Sequence, residues 1–383
     1  MDKWQPLAAA LKEQQCTARY RQRKIIHSPC GPEMQVDGRA CLSFCSNDYL
    51  GLANHPDVVN AFTLGAGRYG VGAGAAHLVN GHSHAHHALE EELAVFTGRQ
   101  RALLFSTGYM ANLGVISTLC SRSERLYQDR LNHASLLDAG QLAHTYLQRY
   151  RHLDVQNLAA KCDKHAPKMI ATDGVFSMDG DIAPLPELAN IARQHDAWLM
   201  VDDAHGFGVL GEHGGGTLEH FGLDAQQVPI LMGTLGKGAG TFGAFVAGDE
   251  LLIDTLIQQA RSYIYTTAMP AAVAEASRAS LRLIQAESWR REKLQQLISH
   301  FKQGAAELGL NLMPSETPIQ PLLIGESATA HDISQQLLAR GIHVTAIRPP
   351  TVPKGSARLR ITLTANHSEV QINQLLDNLG SLL

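Results

Sequence analysis

The chain has 383 residues, 45% hydrophobic and 18% charged, with a formal charge of −4, which is room for two or three packed units in an ordinary globular protein. The slightly acidic balance excludes general attraction for nucleic acid or anionic lipid, so any anion must be bound locally. Six scattered cysteines with no Cys-x-x-Cys pair exclude a disulfide framework and a cysteine-built zinc centre, and fit a reducing cytoplasm.

The first twenty residues mix charges and glutamines through Leu7, Ala8, Ala9, Ala10 and Leu11, which is the pattern of an amphipathic helix and not of an export signal. An extended stretch around Ser28-Pro29-Cys30-Gly31-Pro32 and a short strand follow, so residues 1–45 are expected to form an arm. From 46 to about 270, short apolar runs alternate with longer helical patterns, as a mainly parallel sheet covered by helices requires. Strands are expected at 102–105, 169–172, 198–201, 229–232 and 243–246. From Pro270 to about Leu308 the spacing is helical with no strong breaker. Beyond it, strands are expected at 319–324 and 358–364, and helices at 330–340 and 368–382. The fold class is α/β, with an arm (1–45), a large domain (46–285) and a smaller C-terminal α/β domain (286–383). No apolar run approaches the ~20 residues that cross a bilayer.

In open α/β sheets, ligands bind beyond the carboxyl ends of the strands. After the run at 102–105 comes Ser106-Thr107-Gly108-Tyr109, opening a helix whose backbone N–H groups suit a phosphate. After 198–201 come Asp202-Asp203-Ala204-His205-Gly206, and a buried carboxylate there needs a cationic or hydrogen-bonding partner, such as a protonated pyridine nitrogen. After 229–232 comes Gly233-Thr234-Leu235-Gly236-Lys237-Gly238, a lysine among glycines placed for imine formation. A P-loop is excluded because Gly238, not Ser or Thr, follows Lys237. The turn Gly72-Ala73-Gly74 lacks a preceding strand and a third glycine, so a dinucleotide site and an oxidoreductase are poorly supported. No Gly-x-Ser-x-Gly elbow surrounds Ser177, against a serine hydrolase. The run His82-Ser83-His84-Ala85-His86-His87 precedes an amphipathic Glu-rich stretch and is expected to be a solvated helix start, not a metal site.

Five ordered motifs resemble the α-oxoamine synthases among the fold-type I pyridoxal-phosphate enzymes, almost from end to end. They are Ser46-Asn47-Asp48-Tyr49-Leu50-Gly51, Asp129-Arg130-Leu131-Asn132-His133-Ala134-Ser135, Gly174-Val175-Phe176-Ser177-Met178-Asp179-Gly180-Asp181, Val201-Asp202-Asp203-Ala204-His205-Gly206 and Gly236-Lys237. The resemblance implies that Lys237 carries pyridoxal 5′-phosphate as an imine, that Asp202 pairs with the ring nitrogen, that His205 and Ser177 serve the ring oxygen, and that His133 covers the ring face. It implies that Gly108, Tyr109 and Thr234 hold the cofactor, with Thr266 and Thr267 of a dimer partner completing the phosphate site. The run Thr345-Ala346-Ile347-Arg348-Pro349-Pro350-Thr351-Val352-Pro353 looks most like the branch that condenses L-alanine with a pimeloyl thioester, on coenzyme A or a carrier protein, with loss of carbon dioxide. A related synthase using another amino acid or acyl chain stays open. By the same likeness Arg348 binds the amino-acid carboxylate, Thr351 and Asn47 lie near substrate, and Arg21 serves the acyl substrate, with Arg19 and Arg23 as close alternatives. Two departures touch selectivity: Asp173 stands where relatives often carry Glu, and Gly72-Ala73-Gly74-Ala75-Ala76-His77 replaces a version with a Ser-Arg pair.

Overall fold

The computed structural model describes residues 3–17 and 20–383, and Arg19 lies outside the described residues. The chain divides into two compact units, one of residues 48–177 and 181–291, the other of residues 1–47, 178–180 and 292–383.

The first unit is built on a seven-stranded sheet: β1 (Arg101–Phe105), β2 (Arg125–Asp129), β3 (Tyr146–Tyr150), β4 (Met169–Asp173), β5 (Trp198–Asp202), β6 (Ile230–Thr234) and β7 (Ala244–Gly248). Their order is β1-β7-β6-β5-β4-β2-β3, and only β7 runs against its neighbours. Central strands such as β4 (Met-Ile-Ala-Thr-Asp) are buried at every residue, the pattern of a parallel strand covered on both faces. Leu103, Leu126, Met169, Met200 and Ile230 of the sheet pack with Val115 and Ile116 of helix α1 (Gly108–Leu119) and Leu136 of helix α2 (Ala134–Leu142). Each strand end therefore stands on a rigid core.

In the other unit, strands Glu33–Val36 and Arg39–Ser43 form a hairpin, and Ile342–His343 adds in parallel to Arg39–Ser43. A second sheet sets Ala357–Thr362 between Ile319–Gly325 and Thr345–Ile347, all antiparallel. Ser315 and Thr317 hydroxyls donate to Gly180 O. A Cβ on Gly180 would come within 2.4 Å of Ile319 O, and its φ of +74° also calls for glycine. No helix among the described residues is long and apolar enough to cross a membrane.

Candidate active site

The ends of β1, β2, β4, β5 and β6 surround a cavity of about 210 Å³. Gly108, Tyr109, His133, Ser177, Asp202, His205, Thr234 and Lys237, each singled out in the sequence, all line it.

Lys237 is half-buried in the loop after β6. A Cβ on Gly238 would meet Phe207 O at 2.6 Å, and one on Gly240 would meet Ala53 N at 2.5 Å, so the loop closes only with glycine there. Lys237 Nζ lies 2.8 Å from His205 Nε2, and His205 Nδ1 lies 2.7 Å from the Tyr49 hydroxyl. An ammonium only donates, so with Lys237 charged, Nε2 accepts and Nδ1–H faces Tyr49.

Asp202 ends β5 in parallel register with Asp173 at the end of β4. Asp202 Oδ1 accepts from Ala204 N–H (3.1 Å) and Oδ2 from the Asn112 amide (2.7 Å). Asp173 is buried and accepts from His133 N–H (2.9 Å). Burial, and then the nearby Asp202 charge, push Asp173 well above the usual carboxylate range. Desolvation holds His133 below the usual imidazole range, against the pull of Asp202.

Asp203, one residue on, has a structural task. It is buried, accepts from both the N–H and the hydroxyl of Thr217 (2.8 and 2.9 Å), and burial pushes it up to about 7. A Cβ on Gly206 would come within 2.2 Å of its carboxylate.

Helix α1 starts at Gly108, where Thr107 caps by accepting from Met110 N–H (3.2 Å). The Gly108 and Tyr109 N–H groups are among those with no acceptor one turn back. Tyr109 stands edge-on to His133, ring centres 6.2 Å apart, and its hydroxyl donates to Asp138. Thr234 Oγ1 donates to Gly243 O (3.0 Å).

Thr266 and Thr267 do not line this cavity; Thr267 forms a bridge with Ala76. In the other unit, Arg21, Arg348 and Thr351 share a cleft of about 700 Å³. Burial, and then the Arg21 charge, hold Arg348 below its usual range, the setting an anionic substrate group would relieve. The Asn47 side-chain Oδ1 accepts from Arg360 Nη1 and Nη2, both at 3.2 Å.

One expectation needs correction. His86 is fully buried: its Nδ1 accepts from Ser83 N–H (3.0 Å) and its Nε2 donates to Met269 O (2.7 Å). The helix start is solvated at His84 and His87, while His86 shares the inward face with Leu89 and Leu93 (i, i+3, i+7); nearby, His77 stacks on Tyr263 at 5.1 Å. Both His86 nitrogens are committed, which leaves no lone pair for a metal. Asn112, Ser135 and the Tyr49 hydroxyl also contact site residues; Tyr49 and Ser135 stand inside two of the five ordered motifs without a role assigned, and the shared helical face of Gly108 and Asn112 (i, i+4) is the sequence signal for Asn112.

These residues fit pyridoxal phosphate. The buried Asp202 carboxylate faces the cavity with no protein cation among its hydrogen-bond donors above, which a protonated ring nitrogen supplies. Helix N–H groups suit its phosphate, and a Cβ on Gly108 would crowd Met232 Cε at 3.2 Å. Residues 39–379 match the family described as aminotransferase class I and II. The chain is similar to an 8-amino-7-oxononanoate synthase of Cellvibrio japonicus, 64% identical over 381 residues, covering 99% of this chain and 96% of the relative. It is also similar to a solved serine palmitoyltransferase variant from S. paucimobilis with a bound PLP–myriocin aldimine (TM-score 0.93, 30% identity, 99% of this chain and 97% of that one). A solved 8-amino-7-oxononanoate synthase from Francisella tularensis gives a TM-score of 0.79 at 33% identity, over 89% and 97% of the two chains. With sequence and fold agreeing over nearly its whole length, the chain belongs to the aminotransferase class I and II family, as a pyridoxal-phosphate-dependent acyltransferase of the fold-type I α-oxoamine synthase kind.

Proposed function

We propose that the chain condenses L-alanine with a pimeloyl thioester, carried on coenzyme A or an acyl carrier protein, to give 8-amino-7-oxononanoate, carbon dioxide and the free thiol for biotin synthesis. The observation that carries this reading is the convergence of Lys237, Asp202, His205 and His133 on one cavity, in a chain 64% identical to an 8-amino-7-oxononanoate synthase.

Pyridoxal phosphate, when bound, supplies an electron sink for negative charge at the α-carbon of the amino acid. Lys237 anchors it and, once the amino acid takes its place, Nζ removes the α-proton. His205 Nε2, 2.8 Å from Nζ, accepts a hydrogen bond from Lys237 and holds it in position for that transfer. Asp202 keeps the proton on the ring nitrogen, and His133 covers the ring face. Ser177 serves the ring oxygen, joined by His205 when its proton sits on Nε2; the Gly108 and Tyr109 N–H groups serve the phosphate, with Thr234 joining them when its hydroxyl turns from Gly243 O. Thr266 and Thr267 reach the site of a second copy, which makes the working unit a homodimer. Arg348 grips the alanine carboxylate as a planar bidentate donor, with Asn47 and Thr351 beside it, and Arg21 serves the acyl chain.

Titrating the purified holoprotein with L-alanine, glycine and L-serine while recording its visible spectrum tests the amino-acid assignment. L-Alanine is expected to perturb the spectrum at the lowest concentration. Preference for glycine would reassign the chain to another α-oxoamine synthase activity.

A further inference from the structure

Asn112 lies one turn into α1, fully buried, and its amide reaches two groups of the cavity at once. Nδ2 donates one hydrogen to Asp202 Oδ2 (2.7 Å) and the other to Ser135 Oγ (2.8 Å). Ser135 Oγ lies 2.7 Å from His133 Nδ1, and Ser135 N–H points at the same nitrogen from 3.3 Å.

Counting donors gives the direction of the chain. An amide nitrogen has no acceptor capacity, so Ser135 Oγ must accept from it. The single hydroxyl hydrogen of Ser135 is then free for His133 Nδ1. With two donors aimed at it, Nδ1 is the bare nitrogen of a neutral imidazole and Nε2 holds the proton. The Asp202 carboxylate, held by Asn112 at one oxygen and Ala204 N–H at the other, has its plane fixed.

We propose that Asn112 is a positioning residue that sets the orientation of Asp202 and the tautomer of His133 together, through one amide. This rests on the assignment of Asp202 and His133 to the cofactor. Packing alone does not account for the residue: Asn112 Oδ1 is buried with no hydrogen-bond partner, an unfavourable state that leucine, of similar shape, would avoid. What the amide adds is its two donated bonds.

The two branches separate by mutation. Asn112→Leu removes both, whereas Ser135→Ala cuts only the relay to His133. Two quantities are read on wild type and variants: the pH midpoint of the visible absorbance of the bound cofactor, and the Kd of pyridoxal phosphate for the apoprotein. Losing a charge-assisted hydrogen bond to Asp202 is expected to move the midpoint by about one pH unit and to weaken Kd about tenfold in Asn112→Leu. Ser135→Ala is expected to weaken Kd while keeping the wild-type midpoint. Asn112→Leu that leaves either quantity unchanged overturns the joint role, as does Ser135→Ala that moves the midpoint as far as Asn112→Leu. If Asn112→Leu does not fold by circular dichroism, Asn112→Ser, too short to reach both partners, is held to the same criteria. Wild-type holoprotein with no visible band would instead refute the cofactor-site assignment, an outcome distinct from failure of the Asn112 role.

Discussion

Under the proposed function Lys237 acts as a base, so its Nζ must be held where it can give up a proton, and the neighbouring imidazole of His205 orients it. His205 Nε2 lies 2.8 Å from Nζ, and its Nδ1 lies 2.7 Å from the Tyr49 hydroxyl. Replacing Lys237 with Ala is expected to abolish both turnover and the visible absorbance of the bound cofactor; an active Lys237→Ala protein would remove the residue from the chemistry. In the proposed function Asp202 acts through charge, so Asp202→Asn, which keeps shape and loses the anion, is expected to slow α-proton exchange of L-alanine about a hundredfold, the equivalent of ~3 kcal/mol. Exchange at the wild-type rate would contradict that role. Both residues stand out in the sequence, Asp202 as a carboxylate where an apolar run stops and Lys237 as a lysine in the glycine-rich loop beyond another. The hydrogen bonds of Asn112 and Ser135 do not, since they join α1, α2 and β5, elements brought together only by folding.

Among the elements, the end of β2 and the turn at Asp181 are joined by His152, whose Nδ1 lies 2.9 Å from Asp129 and Nε2 2.8 Å from Asp181. Burial alone would lower this imidazole, but hydrogen bonds to Asp129 and Asp181 outweigh it and raise it from 6.5 to about 10. A raised folded-state value means that stability from His152 is complete below about pH 6.5, declines as pH rises, and is gone above about 10. Thermal melts of wild type and His152→Gln are therefore expected to differ most near pH 6 and to converge by pH ~10; a gap that stays constant with pH would refute the charged clamp. The sheet was readable where its strands are buried on both faces, as at 169–172 and 198–201. Strands Arg125–Asp129 and Tyr146–Tyr150 escape such a reading: the first is buried from Leu126 onward yet carries Arg125, Gln128 and Asp129 among its five residues, and the second lies at the sheet edge with only Tyr150 buried, so its composition stays polar. The helical segment after Pro270 is two helices, Ala271–Ala286 and Trp289–Glu307. They part at Glu287 and Ser288 with no glycine or proline to mark the break, where Glu287 O accepts from Arg290 N–H.

For the whole molecule, residues close in space are far apart in sequence: the hairpin of residues 33–43 gains its third strand from Ile342–His343. Period and composition within a window do not register such pairing. The same limit applies to Tyr265, 72% exposed, and to Thr266 and Thr267, whose proposed target is a cavity in another copy. Mixing inactive Lys237→Ala protein with a Thr266→Val, Thr267→Val double variant is expected to restore part of the activity, because hybrid dimers hold one complete site; no recovery after verified subunit exchange would argue that each chain builds its site alone. The central claim, carbon–carbon bond formation with loss of the alanine carboxyl, is tested most directly with L-alanine labelled with carbon-13 at that carboxyl. Labelled carbon dioxide is expected in a one-to-one ratio with free thiol, only when pimeloyl thioester is present. Thiol release without labelled carbon dioxide, or label release without the thioester, would contradict the account.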